Sequence, residues 1–217
     1  PDGQSIVAAM EGHAFMNAWG EIAVSPVYAV KNVDFSTGNI DFVGTVVVLG
    51  DVGPGFQVKA GKNVEVHGGI MGGIVEAGGD VTVRYGIVGA GHGRVASGGS
   101  VRCRFVEGAE IQAAGDVWVE ESILNAAVRA GGKISAAGPR GRIVGGRLWA
   151  TESVSARVLG SSSGTVTEIQ VGLHPDVRLE VEQVREALER AETQLEQSSN
   201  MIAFLRGLPA LNLRQRS

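Results

Sequence analysis

The sequence predicts an all-β solenoid, a single-stranded parallel β-helix wound right-handed, followed by a C-terminal coiled-coil-like α-helix. Three observations predict it: a short phrase that returns about every 17 residues, a high share of glycine, and an abrupt change to a glycine-free heptad pattern near the end. Glycine supplies 33 of 217 residues, about twice the usual share. It lacks the every-third-residue period of collagen, and an apolar fraction of 44% is too high for a disordered chain. Glycine mixed with Val and Ile points instead to many short strands joined by tight turns.

The phrase reads apolar-x-Ala-Gly-Gly-polar-apolar-x-apolar. It appears as Val75-Glu-Ala-Gly-Gly-Asp-Val-Thr-Val83, Val95-Ala-Ser-Gly-Gly-Ser-Val-Arg-Cys103, Ile111-Gln-Ala-Ala-Gly-Asp-Val-Trp-Val119 and Val128-Arg-Ala-Gly-Gly-Lys-Ile-Ser-Ala136. A first copy spans Val58–Val66 and a worn last copy Leu148–Ala156. Alignment places Val64, Val81, Val101, Val117, Ile134 and Val154 in one column, separated by steps of 17, 20, 16, 17 and 20. The apolar-x-apolar alternation has the period of a strand that buries one face. A step near 17 is too short for a strand, a crossover helix and a second strand, which need about 30 residues. It fits one coil of a parallel β-helix, whose inward side chains stack into columns. The Gly-Gly pairs are expected to supply left-handed or otherwise forbidden dihedrals at the corners. The longer steps place insertions at Gly91–Arg94 and Gly138–Arg142, both corners.

Ile40, Val46, Val52, Val58, Val64 and Ile70 keep a six-residue rhythm, as in the left-handed β-helices of acyltransferases. The rhythm breaks after Ile70, and irregular coils of 16 to 20 residues predict the right-handed form. The organisation expected is a β-meander or cap over residues 1–29, the β-helix over 30–172 and a helical segment over 173–217. The opening Pro1-Asp2-Gly3 and the ending Arg214–Ser217 read as boundaries within a longer protein.

The last segment is glycine-free from Asp176 to Arg206. Val181, Val184, Leu188, Ala191, Leu195, Ser198, Ile202 and Leu205 follow one another in steps of three and four, the a/d seam of a coiled coil. Glu186 and Arg190 add an i,i+4 pair, and Gly207 with Pro209 ends the helix. So narrow a seam must pack on something: a partner helix, as in a homo-oligomer formed through it, a return helix of the same protein, or the last coil.

Several stretches resemble the flagellar assembly protein A family of bacteria. They are Ser25-Pro26-Val27, the run Val33-Asp34-Phe35-Ser36-Thr37-Gly38-Asn39-Ile40-Asp41-Phe42-Val43-Gly44, the Ala-Gly-Gly-Asp-Val copies, Ile143–Gly146, and Val158–Ser161 with Thr167–Ile169. The resemblance implies a β-helix followed by a coiled coil, a cytoplasmic location, and a role in flagellar assembly or cell-pole organisation. It carries over no catalytic residues.

Composition narrows the function classes. The formal net charge of −4 argues against nucleic acid as a partner. A single cysteine excludes an internal disulfide framework, and no apolar run reaches the roughly 20 residues of a membrane span. His67 and His92 are the candidates for the base of an acyltransferase, but flanking glycines place them on corners with nothing evident to orient them. The outward row Glu65, Thr82, Arg102, Trp118, Ser135 and Ser155 contains no paired carboxylates of the kind glycosidases need. Gly89–Gly93 lacks the Lys-Ser/Thr of a phosphate loop. Cys103 falls in an inward column as a core residue. Arg140, Arg142, Arg147 and Lys133 form a basic group that reads as a solvated corner, with attraction of an anionic partner as the other reading.

Trp118 and Trp149 stand at outward positions, with Arg102 and Arg129 one coil away. They are read as arginine stacked on indole, and as a surface for a protein partner. No catalytic, metal or cofactor-binding residue is expected. The function expected is a docking scaffold, with a β-helix acyltransferase or a carbohydrate-active or polysaccharide-binding protein as the alternative.

Overall fold

The computed structural model describes residues 8, 11–17 and 19–172, and in the last segment residues 184–185, 187–195 and 198. Two compact units divide the chain at Gly172. The first is a parallel β-solenoid with three faces, each a ladder of eight rungs. The first face stacks Val27–Val30, Thr45–Val48, Val64–Val66, Val81–Val83, Val101–Cys103, Val117–Val119, Lys133–Ala136 and Ser153–Ala156. The second runs from Val33 through Val52, Ile70–Met71, Gly86–Val88, Phe105–Glu107, Ser122–Leu124 and Arg142–Val144 to Val158–Leu159. The third stacks Ile40–Phe42, Gln57–Ala60, Ile74–Ala77, Arg94–Ser97, Glu110–Ala113, Ala127–Ala130, Arg147–Ala150 and Thr167–Val171.

The alternation in the repeat decides what each rung buries. Val64, Val81, Val101, Val117 and Ile134 are at most 1% exposed, one above another on the first face. Their third-face counterparts Val58, Val75, Val95, Ile111, Val128 and Leu148 are likewise buried, as are Val52, Ile70, Ile87, Val106, Ile123 and Ile143 on the second face. This third column was not apparent from the repeated phrase. It explains the six-residue rhythm from Ile40 to Ile70, in which each step crosses one face. Beyond Ile70 the steps vary because sides shorten by a residue or corners carry insertions, as at 89–93 and 137–141. Ser97 takes an alanine place in the core and satisfies its hydroxyl by donating to the Gly79 carbonyl at 2.7 Å.

The corner glycines work differently from the expectation. Gly78, Gly79, Gly98, Gly99, Gly131 and Gly132 do not have positive φ. A Cβ on Gly78 would drive into the Gly61 carbonyl oxygen, one on Gly98 into that of Gly78, and one on Gly131 into that of Ala114. Close approach of stacked coils favours glycine here, while left-handed backbone occurs elsewhere, at Gly55, Gly72 and Gly108.

The polar residue of the phrase also has a structural task. The Asn63 side-chain oxygen accepts the backbone N–H of Asp80 at 2.9 Å, and the Asp80 carboxylate accepts that of Ser100 at 2.7 Å. Ser100 Oγ accepts from Asp116 at 3.2 Å, and the Asp116 carboxylate from Lys133 at 2.7 Å. At this corner the side chain of one coil replaces the carbonyl that the next coil's N–H would otherwise lack. Asn32 and Asp51 do the same between the first and second faces, accepting from Asp51 at 3.0 Å and Gly69 at 2.7 Å.

Near the N-terminus His13–Met16 and Ile22–Ser25 form an antiparallel hairpin. Val27–Val30, within the expected cap, pairs in parallel with Thr45–Val48 and is the first rung of its face. At the other end Leu159 occupies an inward column yet is 61% exposed, and among the described residues no further rung follows it. In the second unit residues 184–185, 187–195 and 198 are helical. Val184, Leu188, Ala191, Leu195 and Ser198 of the expected seam are exposed; Val181, Ile202 and Leu205 lie outside the described residues.

Candidate functional site

Side chains at x positions inherit the stacking of the rungs that carry them. On the first face the outward column is Val47, Glu65, Thr82, Arg102, Trp118, Ser135 and Ser155, in register. The Arg102 guanidinium lies 4.4 Å from the Trp118 ring centre, and the indole is 36% exposed. Such a pair contributes about 0.5–1 kcal/mol at an exposed site. Ser155 donates to the Ser135 hydroxyl at 3.2 Å in the next rungs. The result is a rigid strip of aromatic, guanidinium and hydroxyl groups on a backbone held by its neighbours above and below.

Arg129 and Trp149 are likewise in register, one coil apart, but on the third face. The four candidate residues therefore make two strips on different faces, not one patch. Identical columns in the repeated phrase concealed this, because positions two and eight of the phrase sit on opposite sides of its corner.

His67 is oriented after all: its Nε2 lies 2.8 Å from Glu65 Oε1, and Arg84 Nη2 lies 3.1 Å from the same oxygen. The Arg84 hydrogen bond, opposed by partial burial and helped by His67, lowers the Glu65 carboxyl below the usual glutamate range. The sequence did not reveal this because Glu65 and His67 point the same way only once the strand is formed, and Arg84 arrives from the next coil. His92 is exposed in the turn closed by its N–H to the Gly89 carbonyl at 2.9 Å. Cys103 is 4% exposed in the first-face core, and burial pushes its thiol up to about 12.

The basic group is largely paired. Lys133 reaches Glu152 at 3.5 Å, Arg140 reaches Glu121 at 3.7 Å and Arg147 reaches Glu168 at 3.0 Å. One cluster escaped the sequence reading. Tyr85 and Phe105 meet edge to face at 5.4 Å, Arg104 stands 5.7 Å over Tyr85, and Arg104 binds Glu121 at 3.0 Å. Only the coil register brings these four together. Among the described residues there is no group of three or more His, Cys, Asp or Glu that could hold a metal ion. No helix among them is long and apolar enough to cross a membrane.

These features define a three-faced parallel β-solenoid that carries ladders of outward side chains in register. Residues 26–216 match the model of the flagellar assembly protein A β-solenoid domain, so the chain belongs to that family. Comparison with curated proteins and with solved structures returned no match.

Proposed function

We propose that the chain is a non-enzymatic, cytoplasmic scaffold in flagellar assembly or cell-pole organisation, which docks a partner protein on the first face of the solenoid. The observation carrying this reading is the Arg102–Trp118 pair, 4.4 Å apart, standing out from a fixed backbone between small hydroxyl residues. Tryptophan and arginine are the residues that most often dominate the energy of protein interfaces. The helical segment brings copies of the chain together through Val184, Leu188, Ala191 and Leu195, with Val181, Ile202 and Leu205 continuing the seam. Membership of the family supports the flagellar context.

The test is complementation of a strain lacking the gene with Trp118→Ala and Arg102→Glu variants, scored by counting flagella and by the amount of protein. Loss of flagella at normal protein level agrees with docking; full restoration by both variants contradicts it. The His67–Glu65 pair favours a second reading, acyl transfer with His67 as base and Glu65 as its orienting carboxylate. Under the scaffold reading His67→Ala restores flagella as well as the unaltered gene does. Failure of that variant alone, with the protein folded, would move the weight to chemistry.

A further inference from the structure

The second face ends in a cleft of about 660 Å³ between its last rungs and the corners beside them. Arg140 and Arg157 come from one corner in successive coils and Arg142 from the strand that leaves it, while Leu124, Val144 and Val158 supply apolar walls. The register explains the arrangement: Leu124 stacks beneath Val144, and Arg142 beneath Val158. Three guanidinium groups line a surface without a lining carboxylate, on a chain whose net charge is −4. Glu121, 3.7 Å from Arg140, is already engaged by Arg104 at 3.0 Å. Arg157 donates to the Pro139 carbonyl at 3.2 Å, and Arg142 has no ion pair among the described residues.

We infer that this cleft binds an extended acidic segment of a protein partner whose alternate side chains are apolar. Charge complementarity selects the sign, since a carboxylate entering here meets three arginines gathered along one corner of the solenoid. The apolar walls select a ligand that buries hydrocarbon beside its charge; a bare inorganic anion would leave Leu124, Val144 and Val158 unused. Nucleic acid fits poorly, because the lining offers no aromatic ring for a base to stack on and the rest of the chain carries excess negative charge. A strand-like peptide matches both demands, as its side chains alternate in direction with period two. The cleft lies on a different face from Trp118, so the inference goes beyond the docking strip proposed above and stands or falls separately.

The experiment is fluorescence anisotropy of a labelled eight-residue peptide alternating Glu and Leu, titrated with the whole chain. Lys–Leu and Glu–Gly peptides and a 20-nucleotide single-stranded DNA serve as comparisons. Arg142→Glu is the test variant, Arg142→Gln a milder one, and Arg94→Glu on the third face the control, each checked for an unchanged melting curve. The Glu–Leu peptide should bind at least about tenfold more tightly than every comparison. Arg142→Glu should weaken it about tenfold or more and Arg142→Gln less, Arg94→Glu should leave it unchanged, and raising salt should weaken it. No binding of the Glu–Leu peptide, equal binding of the Lys–Leu or Glu–Gly peptide or of DNA, or indifference to Arg142, would overturn the inference.

Discussion

Gly78 and Gly108 test two physical reasons for glycine within one solenoid. Gly108 has φ of +58° and open space where a Cβ would sit, so only backbone strain opposes a side chain there. An L-alanine in the left-handed region costs about 1–2 kcal/mol, offset by about 0.4–1 kcal/mol from the less disordered unfolded chain. Gly108→Ala should therefore destabilise by about 1 kcal/mol, and Gly108→Asn by less, because asparagine tolerates that region. Gly78 does not have positive φ, but its Cβ would overlap the Gly61 carbonyl oxygen of the neighbouring coil. Its own N–H donates to the Ala60 carbonyl at 3.0 Å, so relieving the overlap stretches a rung bond. Overpacking of this kind costs about 1–3 kcal/mol. Ala114 occupies the same place in its own coil, which shows that a corner can open for one methyl and sets Gly78→Ala toward the lower end. The larger side chains at this place are Val43, in the first rung with no coil beneath it, and Thr151, in the next-to-last rung, so in mid-solenoid Gly78→Asn should cost more than Gly78→Ala. Urea unfolding of the four variants reads the order. Asparagine no worse than alanine at position 78, or both variants there neutral, would refute the close-approach argument.

Three further outcomes follow from named contacts. Asp116→Ala leaves the Lys133 N–H without its acceptor and should cost about 1–3 kcal/mol in urea unfolding, while Asp116→Asn, which keeps an oxygen there, should cost less. Cys103 should resist alkylation in the folded protein up to about pH 9 and react at once in denaturant, and Cys103→Val, matching Val83 and Val119 in its column, should shift stability by less than about 1.5 kcal/mol. Glu65 has a folded pKa below its ordinary value, so its contribution is present above the unfolded pKa and fades as pH falls through the folded one, in the acid range below 4.5. An NMR titration should show the Glu65 midpoint rising toward the ordinary value in Arg84→Ala.

The phrase apolar-x-Ala-Gly-Gly-polar-apolar-x-apolar carried the fold by itself, because stacking like residues in columns is the cheapest way to dry a coil of about 17 residues. Burial of Val64, Val81, Val117 and Cys103 followed from alternation alone, and so did the alignment of Arg102 with Trp118. Tertiary structure alone decided which columns share a face. It put Trp118 and Trp149 on different sides, since a corner lies between the two halves of the phrase. It also assigned the corner glycines to close approach and the corner Asp, Asn and Ser to capping the next coil, tasks that depend on a neighbour 16 to 20 residues away. The Glu65–His67–Arg84 cluster and the arginine cleft arise in the same way, from side chains that meet only across coils. Periodicity along one strand records which way a side chain points; what it meets there is settled by the rung above and the rung below.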